Sequence, residues 1–438
     1  MSSVTKRILD KVGSSQELAY YLNLYRTINP ERFAVVKISG ECLQTSLEQI
    51  AEDLADLQQL GLIPIVTHGW GKELTQILES EGIQTHKVNE DRYTDERVMK
   101  YVLSIANKKA TELASAISNA GGKAFPFLPL KVRVLTAVDK QGEEYGSNNG
   151  EITKVDLDLI FEVIKTSIIP IISPIGISED GAKMYNINAA DAGSQLVKAV
   201  DPVKYLMITQ SGGVIDKRKV IDELIIRRDY ERLVREGVIS GGMRKNVDEA
   251  ITSLTSRYNG DDKSVQIVGP GNLLHELFTK KGAGTFVRMG YEIEKIPLKD
   301  ANHEEAREII NRSFAPDELR EDYFNNQFVN GALVYREKNG KGVAIQSGPY
   351  IDILAVPNGG NGVGTDVLYE LKRRTPKLAW RSKISRLATN EFYFKMSDGH
   401  QRVTGPNNEQ YNVFWIGFTP DEATKHVQYL QNKPSNFK

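Results

Sequence analysis

Short unbroken apolar runs alternate with amphipathic stretches along the first two thirds of the chain. FAVVKISG (33–40) is an apolar run ending in glycine, and EQIAEDLADLQQLG (48–61) spaces its apolar residues three and four apart before a glycine stop. LIPIVTHGWG (62–71), SIIPIISPIG (167–176), YLMITQSGG (205–213) and SVQIVGPG (264–271) repeat the first pattern and predict buried strands; INAADAGSQLVKAV (187–200) predicts a helix among them. Strands and helices in alternation, with glycine turns at strand ends, predict a mainly parallel α/β sheet. Upstream, SSQELAYYLNLYRTIN (14–29) predicts a capped helix with Leu18, Tyr21, Leu22 and Tyr25 on one face. That stripe suits docking on the main body or on another subunit.

The rhythm breaks at YEIEKIPLKDANHEEA (291–306), where a linker is expected over 291–300. Beyond it, ANHEEAREIINRSF (301–314) predicts a helix, and GALVYREKNGKGVAIQ (331–346) a hairpin with Asn339-Gly340 at its tip. YIDILAVP (350–357) predicts a strand, followed by the glycine loop NGGNGVG and a helix TDVLYELKRR. FYFKM (392–396) and YNVFWIGF (411–418) read as closing strands. The expected plan is a helical arm over 1–30, an α/β domain over 31–290, the linker, and an α+β domain over 301–438.

Composition narrows the classes. A chain of 438 residues exceeds one ordinary core. The formal net charge of -1 gives no drive toward nucleic acid or an anionic membrane surface. No apolar run approaches the ~20 residues of a membrane span. The single cysteine, Cys42, cannot form an intramolecular disulfide or a thiolate metal cluster, and no metal ligand set is expected. The opening MSSVTKRILDKVGSS has no signal-peptide core, so a cytosolic address is expected, with a mitochondrial matrix address open.

The loop at 358–364 carries the first candidate chemistry. Backbone N–H groups of such a turn can bind an anion, and the helix that follows adds its positive end. Strand, loop and helix here resemble the acetyl-CoA site of the GCN5-related N-acetyltransferases. The resemblance implies that Leu354, Val356, Gly359, Gly360, Gly362, Val363, Gly364 and Thr365 bind acetyl-CoA. WRSK (380–383), NEFYF (390–394), SDG (397–399) and VFWIGF (413–418) follow in an order that resembles the N-acetylglutamate synthases, particularly the synthase/kinase fusions. By that resemblance Tyr393 is the acid for the departing thiolate, Arg381 grips a glutamate carboxylate, and Asn390 orients substrate or loop. Ile353 stands where the family has a lysine, and Arg386 lies where an asparagine is expected nearby.

The first part of the chain resembles the amino acid kinase fold, specifically N-acetylglutamate kinase, through VVKISG, THGWG, VNEDRYTD, YNINAAD, ITQSGG, SGGMRKN and ELFTKKGAGT. The fold class implied is therefore a three-layer α/β amino acid kinase fold followed by an α+β N-acetyltransferase domain. Lys37, Gly69, Gly71, Arg92 and Asn186 match kinase positions. Two others do not. Ala190 occupies the aspartate position, with Asp191 one later, and Asn246 occupies the lysine position, with Lys245 one earlier. One residue turns a helical side chain by ~100°. Impaired phosphoryl transfer is expected, with Mg-ATP relevant only if that domain works.

HELFTKKGAGT (275–285) resembles the arginine-binding segment of arginine-sensitive relatives, which implies Glu276, Gly282 and Gly284 as a site for L-arginine as effector. The whole reads as an N-acetylglutamate synthase using L-glutamate and acetyl-CoA, with a homodimer or homotetramer implied by the family. A non-catalytic arginine sensor and a bifunctional synthase/kinase are the alternatives.

Overall fold

The computed structural model describes residues 3–88, 91–129, 132–255, 264–279, 282–326, 331–357 and 362–438. The chain divides into two compact units, Met1–Met289 and Gly290–Lys438.

The first unit is built on an eight-stranded sheet, in the order Glu223–Ile225, Thr285–Arg288, Val265–Val268, Lys204–Ile208, Ala34–Ile38, Ile65–His68, Ile169–Ile172, Ala124–Phe127. Its pairs are parallel except Val265–Val268 with Thr285–Arg288. Every residue of Ala34–Ile38 is buried, as expected for a strand covered on both faces. A second, four-stranded sheet runs Met184–Asn186, Ile175–Ile177, Leu135–Asp139, Gly150–Val155.

The helix expected over 14–29 forms at Ser15–Arg26, with the Ser14 side chain accepting from Glu17 N. Leu18 and Tyr25 are buried, and the Tyr25 hydroxyl donates to the Leu277 carbonyl at 2.6 Å. The aromatic stripe therefore docks on its own unit. A helix the sequence reading did not anticipate, Ser3–Val12, precedes it. Its Lys11 pairs at 2.6 Å with Asp53, which is fully buried.

The second unit is a seven-stranded sheet in the order Ile293–Pro297, Leu333–Glu337, Val343–Ser347, Tyr350–Ala355, Leu378–Lys383, Gln410–Ile416, Gly399–Thr404. Its first strand corrects the expected linker: Ile293–Pro297 pairs antiparallel with Leu333–Glu337. The charges that hid it are used as edge-strand ion pairs, Glu294 meeting Arg336 at 3.1 Å. The hairpin at 339–340 is present, with Gly340 at φ +73°. FYFKM is not a strand. It ends the helix Leu387–Met396, in which Asn390 and Tyr393 are buried one turn apart while Phe394 is exposed.

The one parallel pair of this sheet positions its site. Tyr350–Ala355 and Leu378–Lys383 pair at Tyr350↔Ala379 and then diverge. The divergence opens a cavity lined from both strands. No helix among the described residues is long and apolar enough to cross a membrane.

Candidate functional site

Each unit holds a cavity. In the first, of ≈ 610 Å³, the turns after Ala34–Ile38 and Ile65–His68 meet so closely that a Cβ on Gly40 would lie 2.8 Å from Gly69 O. Trp70 does not crowd that turn. Its ring is buried with Leu74, Leu78 and Met99 and packs edge-on against His68. His68 is fully buried, and burial, with Lys109 adding like charge, pushes it down to about 3. Lys37 lies in the wall with its ammonium on Glu249 and, at 3.3 Å, on Asn246 Oδ1. The Tyr205 hydroxyl donates to the other Glu249 oxygen. Burial raises the Glu249 carboxyl, and Lys37 opposes that rise. Arg92 donates to Thr85 Oγ1 at 2.7 Å and to Gly71 O at 3.1 Å, and Asn186 donates to Thr94 Oγ1 at 3.0 Å.

The second cavity, of ≈ 300 Å³, lies between the diverging strands, the helix Leu387–Met396 and segment 430–438. Tyr393 is buried against Trp380 and Phe414, with ring centroids 5.4 Å away in both cases. Tyr393 lines the cavity, and its hydroxyl makes no hydrogen bond among the described residues. Burial raises its pKa well above the phenol range, with Arg386 pulling the other way. Arg381 donates to the carbonyls of Leu430 at 2.7 Å and Pro434 at 2.8 Å, and lies 4.4 Å over the Tyr411 ring. Arg386 meets Asp317 at 3.3 Å. Asp352 takes Lys433 on one carboxylate oxygen and the Tyr323 hydroxyl on the other.

A profile described as the amino acid kinase family matches residues 32–268, and one described as the N-acetyltransferase of N-acetylglutamate synthase matches residues 292–433. The chain belongs to the amino acid kinase family and carries a fused N-acetyltransferase domain. An acetylglutamate kinase of Xylella fastidiosa is 32% identical over 426 residues, spanning 96% of both chains. The mitochondrial protein arg11 of Schizosaccharomyces pombe is 28% identical over 440 residues, with this chain spanning 48% of its length. Among solved structures, an N-acetylglutamate synthase from Neisseria gonorrhoeae, complexed with coenzyme A and N-acetyl-glutamate, aligns at a TM-score of 0.67 with 19% identity. That alignment covers 92% of this chain and 98% of that one.

In the kinase-family unit, Lys37, Gly69, Gly71, Arg92 and Asn186 all line the ≈ 610 Å³ cavity. So do Ala190 and Asn246, whereas Asp191 lies outside the lining. Asp191 is exposed overall, yet neighbouring groups strip water from its carboxyl and Asp91 repels it, raising its pKa, while Lys140 and Lys245 oppose the rise. Lys245 does line the cavity. At the other end, Glu276 accepts from Ala283 N at 2.8 Å, and Gly282 adopts φ +66° beside it. A Cβ on Gly284 would collide with Ile267 O at 2.1 Å, so that glycine serves the fold.

In the transferase unit, Tyr393, Arg381, Leu354 and Val356 line the cavity. Asn390 orients a loop, donating to the carbonyls of Lys383 at 2.8 Å and Arg386 at 2.9 Å. Gly362, at φ +92°, caps the helix Val363–Arg374, whose first turn holds Gly364 and Thr365. Gly359 and Gly360 lie outside the described residues. Lys433, Asp352, Tyr323, Glu249 and Tyr205 were not anticipated. Asp352 lay in plain view within YIDIL, but nothing in the sequence linked it to a lysine 81 residues away.

Proposed function

We propose that the second unit transfers acetyl from acetyl-CoA to the amino group of L-glutamate, and that the first is an arginine-responsive kinase fold with impaired phosphoryl transfer. The carrying observation is Tyr393: a phenol free of hydrogen-bond partners among the described residues, held protonated by burial, in the wall of a cavity that four cationic side chains also line. A protonated donor at that place can neutralise a departing thiolate.

The residues present fit the acyl donor. Acetyl-CoA, when bound, supplies the acyl group and a thiol leaving group. Gly364 has space that the protein does not fill, since a Cβ there would meet Val356 and Phe392 at 3.6 and 3.9 Å, ordinary contact distances. Gly362 and the amides that open Val363–Arg374 would hold phosphates, with Leu354 and Val356 along the diverging strand.

Phosphoryl transfer asks for several cations with an organiser. Lys37 is shared with a buried carboxylate, and neutral Asn246 and Ala190 replace the second lysine and the aspartate. A bifunctional reading has one observation in its favour, Lys245 in the cavity lining, together with full-length relatives named acetylglutamate kinases.

The deciding experiment measures CoA release with acetyl-CoA and glutamate. Turnover in the wild type that Tyr393→Phe leaves undiminished removes the acid. Arginine binding by calorimetry without any turnover makes the chain a sensor. ATP-dependent acylphosphate formation from N-acetylglutamate makes it bifunctional.

A further inference from the structure

Segment 430–438 forms one wall of the transferase cavity and is tied down along its length. Arg381 holds the carbonyls of Leu430 and Pro434, on either side of Lys433. Arg320 N donates to Asn436 O at 3.1 Å, Phe437 stacks on Phe314 at 4.5 Å, and Lys438 N donates to Glu318 O at 2.9 Å. The side chain thus delivered, Lys433, is 9% exposed and lines the cavity.

Its ammonium has three donors. One meets Asp352 Oδ1 and one meets Asn436 Oδ1 at 3.3 Å, which leaves a third. Asp352 adjoins Ile353, the position at which the resemblance leads one to expect a lysine. The cavity lining holds four cations, Arg381, Lys383, Arg386 and Lys433, against two carboxylates, Asp317 and Asp352. Lys383 also reaches Glu409 at 2.9 Å, and Arg386 meets Asp317 at 3.3 Å through one terminal nitrogen. The guanidinium of Arg381, meanwhile, has both terminal nitrogens on carbonyls. A carboxylate entering here can take the remaining N–H of Lys433, beside the N–H groups that these contacts leave on Arg381 and Arg386.

We infer that Lys433 binds a carboxylate of the acceptor, replacing from segment 430–438 the cation missing at 353, and that Arg381 is the positioning residue that clamps the segment around it. This deepens the glutamate reading and rests on it. A lysine that engages the side-chain carboxylate favours acidic acceptors over neutral ones, in keeping with the glutamate reading.

Glutarate, which has both carboxylates and no amine, reads the site without turnover. Calorimetry on the full chain is expected to show glutarate binding that falls 10- to 100-fold in K433M, as a lost charge-assisted hydrogen bond implies, and recovers in K433R. Because K433M leaves the buried Asp352 carboxylate without its cation, K433M/D352N is measured beside it, with melting curves to establish that both fold. In kinetics, the glutamate KM rises while the acetyl-CoA KM holds. R381Q weakens glutarate in the wild-type background and adds nothing in K433M. Wild-type affinity in K433M/D352N, or a wild type that binds no glutarate, overturns the inference. A wild type with Lys433-dependent glutarate binding and no acetylation of glutamate sinks the acceptor reading instead, and the carboxylate site stands.

Discussion

The two units repeat one small constellation. In the kinase-family unit a cavity lysine, Lys37, meets a buried carboxylate, Glu249, whose other oxygen takes a tyrosine hydroxyl, while Asn246 accepts from the same ammonium at 3.3 Å. In the transferase unit Lys433, Asp352, Tyr323 and Asn436 do the same, again with 3.3 Å to the asparagine. A lysine so held is a half-compensated donor. Whether that suffices depends on the task. A carboxylate needs one or two directed donors, whereas a transferring phosphoryl group spreads charge over several oxygens and needs more cations. Under the proposed function, the same arrangement fits binding in one cavity and falls short of catalysis in the other.

The largest effect expected concerns the group with no twin in the other cavity. Tyr393→Phe should lower kcat for acetyl transfer by about 10²- to 10⁴-fold, the span of a general acid, read as CoA release. Next, Ala190→Asp with Asn246→Lys restores both missing kinase groups. ATP-dependent acylphosphate formation should rise about 10²-fold over the wild type, and no rise would mean that something other than these two positions limits the kinase-family cavity.

His68 distinguishes the units by acid. Its ordinary pKa of 6.5 falls to about 3 in the folded state. Between those values the unfolded chain binds the extra proton, so the stability that His68 confers is complete above pH 6.5 and drains as pH falls. The loss should reach about 2 kcal/mol by pH 5 and be absent from His68→Asn, as measured by denaturant titration of the first unit at pH 7 and pH 5. The smallest effect is the sharpest on the comparison. Burial pushes Lys433 down to about 8, opposed by the touching Asp352, so the ammonium is charged at neutral pH. Glutarate affinity should fall about tenfold as pH rises from 7 through 9 and stay flat in K433R. Asp352, with Tyr323 behind it, Asp317, Lys383, Arg386, Arg381, Tyr393 and Tyr411 are the other charged or titratable groups facing the cavity.

Much of the first fold was legible because it is written in contiguous runs. VVKIS and IVTHG are apolar strands ended by glycine turns, and they form where the pattern puts them. The failures share a cause: local signals that tertiary contacts override. Aromatic FYFKM has strand-like composition, but the turn of helix at Leu387–Met396 buries Tyr393 against Trp380 and Phe414, which no local pattern reports. Ile293–Pro297 is polar enough to pass for a tether because one of its edges is unpaired. Lys433 sits in QNKPSNFK, a stretch without periodicity, and its meaning depends on a strand 81 residues earlier. The glycine loop at 358–364 announced itself, and Lys433 did not.

The edge strand Ile293–Pro297 also sets where the two halves can be separated. Excision at residue 301 would strip Leu333–Glu337 of its neighbour and lay bare a row of unpaired amides, inviting strand-to-strand clumping. A module severed near Gly290 keeps that border sealed, so recombination between such chains, natural or designed, has its workable seam there and not ten residues later.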